Sequence, residues 1–285
     1  MIDFTKLTGM SLAKMQSSID AVGCVSSFFS PINVLSRLEA GKWGVEHRNG
    51  FPAFTSDTGV RVLPQPTQEK YFEALMEWIG KRPILLIPEY MAEVFKKKNF
   101  RVTKNQAEYF MFPEKTNLLP GGSLRKMRGD VSRAMRVTDT SIEASLKNVD
   151  ELVSVTDAWY KEASDRLWRP SEKALTVWII RNWDKILNFE PSARCSVVRD
   201  NADNSILSFE MGSKLSGKLA SSFTQRSLRD RTVGHYAGVN LINSLALIKH
   251  FHCPLNDGPA ATADLAHRKL KLCSNVKTFY DVAMR

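Results

Sequence analysis

Residues 218–250 read KLASSFTQRSLRDRTVGHYAGVNLINSLALIKH and predict a strand, a basic loop and a helix in direct succession. The segment 218–224 is typical of a strand, and the apolar residues after Gly234 predict a helix that ends near His250. The loop between them, which begins at Gln225, is rich in arginine. Backbone N–H groups at a helix N-terminus bind phosphate, and guanidinium groups add to that affinity. This stretch therefore predicts an α/β chain with a phosphate-binding junction.

Around this stretch, the second half of the chain predicts the order helix, helix, three strands, helix, strand, helix, strand. Its other helices are expected at about 141–164, 171–187 and 262–272, and its other strands at 195–198, 206–211, 252–255 and 278–283. The first half shows a looser version of this order. Its helices are expected at 12–22, 32–38, 67–79 (with Thr67 as N-cap) and 89–98, and its strands within 41–62 and at 84–87, 100–102 and 107–112. The pattern favours the α/β class (α+β, with a mixed sheet).

The composition excludes several classes of protein. The chain of 285 residues is 43% hydrophobic and 25% charged, which is typical of a globular protein. It contains no run of about 18 apolar residues, and its N-terminus lacks the features of a secretory signal. Its four cysteines are far apart, so we expect a cytoplasmic protein with no disulfide framework and no metal site. The net charge of +10 favours polyanionic partners: nucleic acid, a nucleotide tail or an anionic membrane surface.

The strongest basic segment lies between residues 93 and 136. Within it, Gly121 and Gly122 precede a predicted basic helix. We expect four of its residues to bind a nucleic acid or an acceptor substrate: Arg125, Lys126, Arg128 and Arg133. The alternative is a solvated basic face with no ligand.

Two further groups of residues are candidates for a site. In the loop before Gly234, we expect three arginines to bind donor phosphate together with that glycine: Arg226, Arg229 and Arg231. Near the C-terminus, Asn256 or Asp257 could orient an amine or hydroxyl, while Arg268 and Lys271 would hold an anion. The alternatives are a plain basic loop and a turn followed by a surface helix.

Two blocks of the chain resemble the C-terminal catalytic domain of phosphatidylglycerol lysyltransferases, a family of tandem GNAT-like aminoacyltransferases. Residues 108–133 are similar to the family segment that ends in Arg-Asn-x-x-Asn-Lys/Arg, and Arg128 and Arg133 match it. Residues 256–271 are similar to a block that ends in Gly-Leu-Arg-x-x-Lys, and Arg268 and Lys271 match it. Gly129, Ser132, Ala266 and His267 depart from the two patterns.

The resemblance implies two tandem GNAT-like units, which we expect at residues 1–136 and 137–285, with the second unit catalytic. It implies transfer of an acyl or aminoacyl group from acyl-CoA or aminoacyl-tRNA to an amine or hydroxyl, with no bound cofactor and no covalent protein intermediate. Asp257 or Glu210 would then accept the proton. The basic loop fits the Arg/Gln-x-x-Gly-x-Gly/Ala pattern of acetyl-CoA enzymes at Arg231 and Gly234, but Tyr236 stands at its last position.

Two other functions stay open on the sequence alone. The acceptor could be DNA carrying modified bases, or the protein could bind nucleic acid without catalysis. Contact with a membrane surface also stays open because of the positive charge.

Overall fold

The computed structural model describes residues 11–23, 25–65, 69–80, 82–113, 121–162, 170–260, 263–273 and 275–284. Their helices are α1 Leu12–Val22, α2 Pro31–Glu39, α3 Glu69–Ile79, α4 Glu89–Lys97, α5 Arg125–Val137, α6 Val149–Glu162, α7 Pro170–Arg181, α8 Trp183–Phe189, α9 Tyr236–Phe251 and α10 Ala263–Leu272. Their strands are β1 Gly44–Arg48, β2 Phe51–Ser56, β3 Gly59–Val62, β4 Ile84–Pro88, β5 Arg101–Met111, β6 Thr138–Glu143, β7 Arg194–Asp200, β8 Ile206–Lys214, β9 Ala220–Ser227, β10 Leu255–Pro259 and β11 Asn275–Ala283.

Local chemistry explains several element boundaries. Ser11 caps α1, because its hydroxyl accepts a hydrogen bond from the Lys14 backbone N–H, and Gly23 ends the helix with φ +63°. Asn49 and Gly50 both have positive φ, as a tight hairpin turn between β1 and β2 requires. These boundaries agree with the sequence predictions. Thr67, the predicted N-cap of α3, lies outside the described residues.

All eleven strands form one mixed sheet in the order β1-β2-β3-β4-β11-β5-β10-β9-β8-β7-β6. The strands β1 to β3 and β6 to β9 are antiparallel meanders at its two ends. In its middle, the two halves of the chain exchange strands: β11 pairs with β4, and β5 pairs with β10. The predicted division between residues 136 and 137 stays a prediction.

Each half contains one parallel strand pair joined by a helix. In the first half α3 connects β3 to β4, and in the second half α9 connects β9 to β10. The second pair is in register only at Leu255–Ala220 and Asn256–Ser221, although β9 continues to Ser227. The two strands therefore separate beyond Ser221, which leaves an opening in the sheet.

The structure corrects the sequence predictions in the second half. The helix predicted over 141–164 is wrong at its start, because residues 141–143 belong to β6 and pair with β7. This edge strand is mostly exposed and has no alternating apolar pattern to mark it. The helix predicted over 171–187 is two helices, α7 and α8, and the strand predicted at 252–255 begins only at Leu255. Asp257 therefore lies within a strand rather than after it.

Candidate active site

Three ionisable side chains meet at the opening between β9 and β10. Glu210 comes from β8, beside β9, and it is fully buried. Asp257 comes from β10, and Lys269 comes from α10, the helix that follows β10. The order of the strands places Glu210 on one side of the opening and the other two residues across it. This arrangement combines an acid, a base and a cation in one place.

Polar neighbours hold the Glu210 carboxyl group. Its Oε2 accepts hydrogen bonds from Gln225 Nε2 (2.6 Å) and Ser244 Oγ (2.7 Å), whereas its buried Oε1 has no hydrogen-bond partner in the described part of the chain. Burial and, to a smaller extent, the nearby Asp257 carboxylate raise the pKa of Glu210 to about 8, against the opposing effects of the Ser222 and Ser244 hydroxyls and the Lys269 charge. Glu210 consequently keeps a proton at neutral pH and titrates just above it.

Lys269 fixes Asp257 on the other side of the opening. Its ammonium lies 3.1 Å from Asp257 Oδ2 and donates hydrogen bonds to the backbone carbonyls of Asp257 and Pro259, the latter at 3.3 Å. The Lys269 side chain is 10% exposed and that of Asp257 is 18% exposed. A largely buried ion pair of this kind fixes the orientation of the carboxylate. Asp257 thus remains a hydrogen-bond acceptor at the edge of the opening.

A layer of buried polar side chains continues from Glu210 beneath α9. Ser196 donates to Asn243 Oδ1 (2.8 Å), and Asn243 Nδ2 donates to Ser208 Oγ (2.7 Å). Ser208 contacts Ser227, which donates to Asn240 Oδ1 (2.8 Å). Because an unpaired buried polar group is costly, such a network fixes α9 in one position on the sheet. Glu210 is the ionisable member of this layer among the described residues.

Asn256 occupies a structural position on the other face of β10. Its amide donates to Glu108 Oε2 (2.7 Å) and to the Val25 carbonyl (3.4 Å), and its Oδ1 accepts from the Gly258 backbone N–H (2.9 Å). It is fully buried. Its polar atoms are therefore engaged within the protein, and the structure does not bring it together with Asp257 and Glu210 as the sequence predicts.

The structure separates the four residues predicted to bind donor phosphate. Arg231 forms ion pairs with Asp200 (3.1 Å) and Asp203 (2.8 Å), so two carboxylates already balance its charge. Arg229 stacks on Tyr236 at 5.5 Å, and Gly234 is exposed with φ +81°. Arg226 points to the face of the sheet opposite to α9, where it contacts α6 and α7. The prediction of one phosphate site formed by these residues has no support in this arrangement, and for Arg231 the ion pairs provide a structural role instead.

Helix α5 lies directly against the first turn of α9. A Cβ atom at Gly238 would lie 2.3 Å from the Asp130 carbonyl oxygen, so the glycine permits this approach. The predicted basic helix is confirmed, and Arg125, Lys126 and Arg133 are exposed on it. Arg133 pairs with Asp130, and Arg128 donates to the Gly121 carbonyl at 2.8 Å. The helix thus covers the side of α9 near its N-terminus and presents arginines and lysine outward.

Lys269 is the residue that the sequence reasoning missed. Arg268 and Lys271, which it chose instead, are both exposed on α10. Lys269 follows Ala266 by three residues and precedes Cys273 by four, so the three share the inward face of α10. A lysine in register with apolar residues is the signal that could have identified it.

The described residues contain neither a cluster of metal ligands nor a membrane-spanning helix. No group of three or more His, Cys, Asp or Glu side chains is arranged there to hold a metal ion. No helix of those residues has the length and apolar character needed to cross a bilayer.

Comparison with solved structures identifies the fold. A conserved protein of unknown function from Bacteroides thetaiotaomicron is similar over 97% of this chain and 98% of its own, with 13% identity and a TM-score of 0.78. The C-terminal domain of a putative lysylphosphatidylglycerol synthetase from Agrobacterium fabrum is similar over 96% and 93%, with 15% identity and a TM-score of 0.64. A tandem GNAT protein from the clavulanic acid biosynthesis pathway is similar over 95% and 93%, with 9% identity and a TM-score of 0.52.

These similarities confirm the predicted fold class and the predicted resemblance at the level of the fold. The chain has the tandem GNAT-like architecture with a large mixed sheet. No protein-family model and no curated protein matches the sequence.

Proposed function

We propose that this protein transfers an aminoacyl group from aminoacyl-tRNA to an amine or hydroxyl acceptor. The observation that carries the proposal is the group Glu210, Asp257 and Lys269 at the opening between β9 and β10. This group supplies a proton acceptor, a proton-holding carboxyl and a cation where two parallel strands separate. The fold that the chain shares with a putative lysylphosphatidylglycerol synthetase supports the same kind of reaction.

In the reaction, the acceptor nitrogen or oxygen forms a bond with the carbonyl carbon of the aminoacyl ester, and the ester bond to the ribose oxygen breaks. The acceptor loses a proton as it attacks, and Asp257 takes that proton because Lys269 orients its carboxylate. Asp257 then gives the same proton to the ribose oxygen as it leaves, so that the residue returns to its starting state. Glu210, protonated at neutral pH, is the proton reservoir behind the opening.

The packing of α5 against α9 favours a tRNA donor over acyl-CoA. Acetyl-CoA enzymes bind the pyrophosphate at the junction that corresponds here to the loop before α9. In this chain Arg231 is engaged by two carboxylates, and α5 lies against Gly238 in the first turn of α9. The exposed basic residues of α5 instead suit the phosphates of a nucleic acid.

A donor and acceptor screen tests the proposal. The protein is incubated separately with a mixture of aminoacyl-tRNAs and with acetyl-CoA, each with a panel of amines, amino sugars, peptides, polar lipids and DNA, and mass spectrometry detects the products. We expect consumption of aminoacyl-tRNA beyond its spontaneous hydrolysis, with the mass of the aminoacyl group appearing on one acceptor class. Consumption of acetyl-CoA alone would contradict the choice of donor, and no consumption of either would contradict the proposal.

Variants at the opening test the assigned roles. We expect Asp257→Asn to lower the transfer rate at least about 100-fold, the size typical for loss of a proton acceptor. Lys269→Gln should also lower the rate, since Asp257 loses the partner that orients its carboxylate. Lys249→Gln, on the exposed C-terminal turn of α9, is the matched control and should keep the rate. Unchanged rates for both site variants would exclude this site.

A further inference from the structure

A second group of charged residues lies on the sheet face opposite to Glu210. Arg61 of β3 and Arg226 of β9 each point away from the helix that follows their strand, whereas their neighbours Val62 and Gln225 face that helix. Arg37 of α2 joins them from the same side. We call Arg37, Arg61 and Arg226 the arginine cluster.

Aromatic rings hold each member of the arginine cluster. The guanidinium carbons of Arg37 and Arg61 lie over the same two rings, at 5.4 and 5.5 Å from Phe28 and at 5.4 and 5.0 Å from Trp43. The guanidinium carbon of Arg226 lies 4.4 Å from the ring centre of Trp159 and 5.1 Å from that of Tyr160. Cation–π contacts keep the planar groups rigid without neutralising their charge.

Helix α7 connects the members of the cluster. Arg37 Nη2 donates to Glu172 Oε1 (3.3 Å), and Arg226 Nη2 lies 3.5 Å from Thr176 Oγ1 and 3.0 Å from the Tyr160 hydroxyl. Glu172 and Thr176 are one helical turn apart, so their side chains are neighbours on α7. The two shared aromatic rings join the third arginine to Arg37, so the three arginines follow one another along this face of the sheet.

The positive charge of the cluster exceeds its negative charge. Glu172 is the carboxylate in direct contact with it among the described residues, and that side chain is 40% exposed. In all three arginines the Nε–H is buried and has no hydrogen-bond partner in the described part of the chain. Burial and the neighbouring Arg37 lower the pKa of Arg61 to about 10, and Asp281 offsets this only in part. Like charges held together in this way are stabilised when an anion binds between them.

We propose that the arginine cluster binds a phosphate group of a ligand that enters on the face of the sheet opposite to Glu210. A phosphate dianion fits better than a carboxylate, because three guanidinium groups offer more N–H donors than the two oxygens of a carboxylate can accept. Guanidinium groups also match phosphate oxygens through paired N–H donors. That this phosphate belongs to the acceptor of the transfer reaction rests on the proposed function; the binding of phosphate itself does not.

Thermal unfolding with inorganic phosphate tests the inference on the full chain, with sodium chloride keeping the ionic strength constant. We expect the midpoint of wild-type unfolding to rise with phosphate concentration and to be unaffected by acetate, since a ligand that binds the folded state stabilises it. Arg61→Gln and Arg226→Gln should each weaken the fitted phosphate affinity at least about tenfold. Arg82→Gln, which removes an exposed arginine paired with Glu46, is the matched control and should keep the wild-type affinity.

Each other result overturns the inference. A wild-type midpoint that responds to phosphate no more than to chloride excludes the site, and an equal response to acetate excludes the phosphate assignment. An undiminished response in both glutamine variants places the bound phosphate elsewhere. The second variant keeps the test decisive if one of the two fails to fold. Because no donor or transfer assay is involved, a protein that transfers aminoacyl groups but fails this test loses only the arginine site.

Discussion

The two parallel strand pairs have the same architecture but opposite chemistry beneath their connecting helices. Under α3 the interface is apolar, with Ala53, Val62, Leu75 and Trp78 all buried. Under α9 apolar contacts such as that of Val239 with Val198 are joined by a hydrogen-bonded layer of serine, asparagine and glutamine side chains around Glu210. An apolar interface provides stability at no desolvation cost, whereas a polar one must be satisfied group by group. Under the proposed function, the first pair is a scaffold and the second pair carries the chemistry.

The largest expected effect is in the apolar interface. Trp78 is 1% exposed, so Trp78→Ala should lower the free energy of unfolding by about 3–5 kcal/mol, through lost burial and a cavity. Urea unfolding measures this loss. Met135→Ala, at a position that is 65% exposed, should change it by less than about 0.5 kcal/mol. If Trp78→Ala abolished transfer by the remaining folded molecules, the scaffold role of the first pair would be wrong.

A smaller effect concerns the contact that fixes α9. Gly238→Ala should lower the free energy of unfolding by about 1–3 kcal/mol, because its Cβ atom would overlap the backbone at Asp130. Gly129→Ala, in the middle of α5 and facing open space, should raise it by about 0.5–1 kcal/mol. Thermal and urea unfolding of both variants would show whether the two helices are held by this approach. Equal effects of the two substitutions would contradict the packing.

The third expected effect is a slope rather than a step, and it is the smallest of the three when it is expressed per pH unit. The pKa of Glu210 is about 8 in the folded protein and 4.5 as its ordinary value, so the folded state binds this proton more tightly. The resulting contribution to stability is complete below pH 4.5 and is lost as the pH rises through 8, at no more than about 1.4 kcal/mol per pH unit.

Glu210→Gln removes that proton equilibrium and should flatten the fall in unfolding free energy between pH 5 and 9. Urea unfolding at several pH values measures the slope. Glu93→Gln, an exposed change on α4, should keep the wild-type slope. A wild-type slope in Glu210→Gln would show that another group is responsible for the pH dependence. The layer under α9 would then differ from the interface under α3 by its hydrogen bonds and not by a titrating residue.

Much of the fold was predictable from local sequence. The limits of α1, the three strands between residues 41 and 62 and the basic helix α5 follow from capping residues, turn residues and apolar spacing, all of which act over a few residues. The candidate site was predictable only in part. Glu210 and Asp257 were predicted from the sequence as alternative proton acceptors, but Lys269 was not, because Arg268 and Lys271 look equally suitable until the buried face of α10 is known.

The sequence by itself determined the kinds of elements, their approximate limits and an excess of positive charge. The tertiary structure decided which strands exchange partners at the centre of the sheet, which lysine enters the opening and which arginines already have acidic partners. The physical reason is the distance along the chain over which each kind of interaction acts. Helix caps, turns and apolar periodicity depend on neighbours along the chain, whereas a charge is balanced by whatever lies near it in space, and the Lys269 charge acts on Glu210 across the gap where β9 and β10 separate.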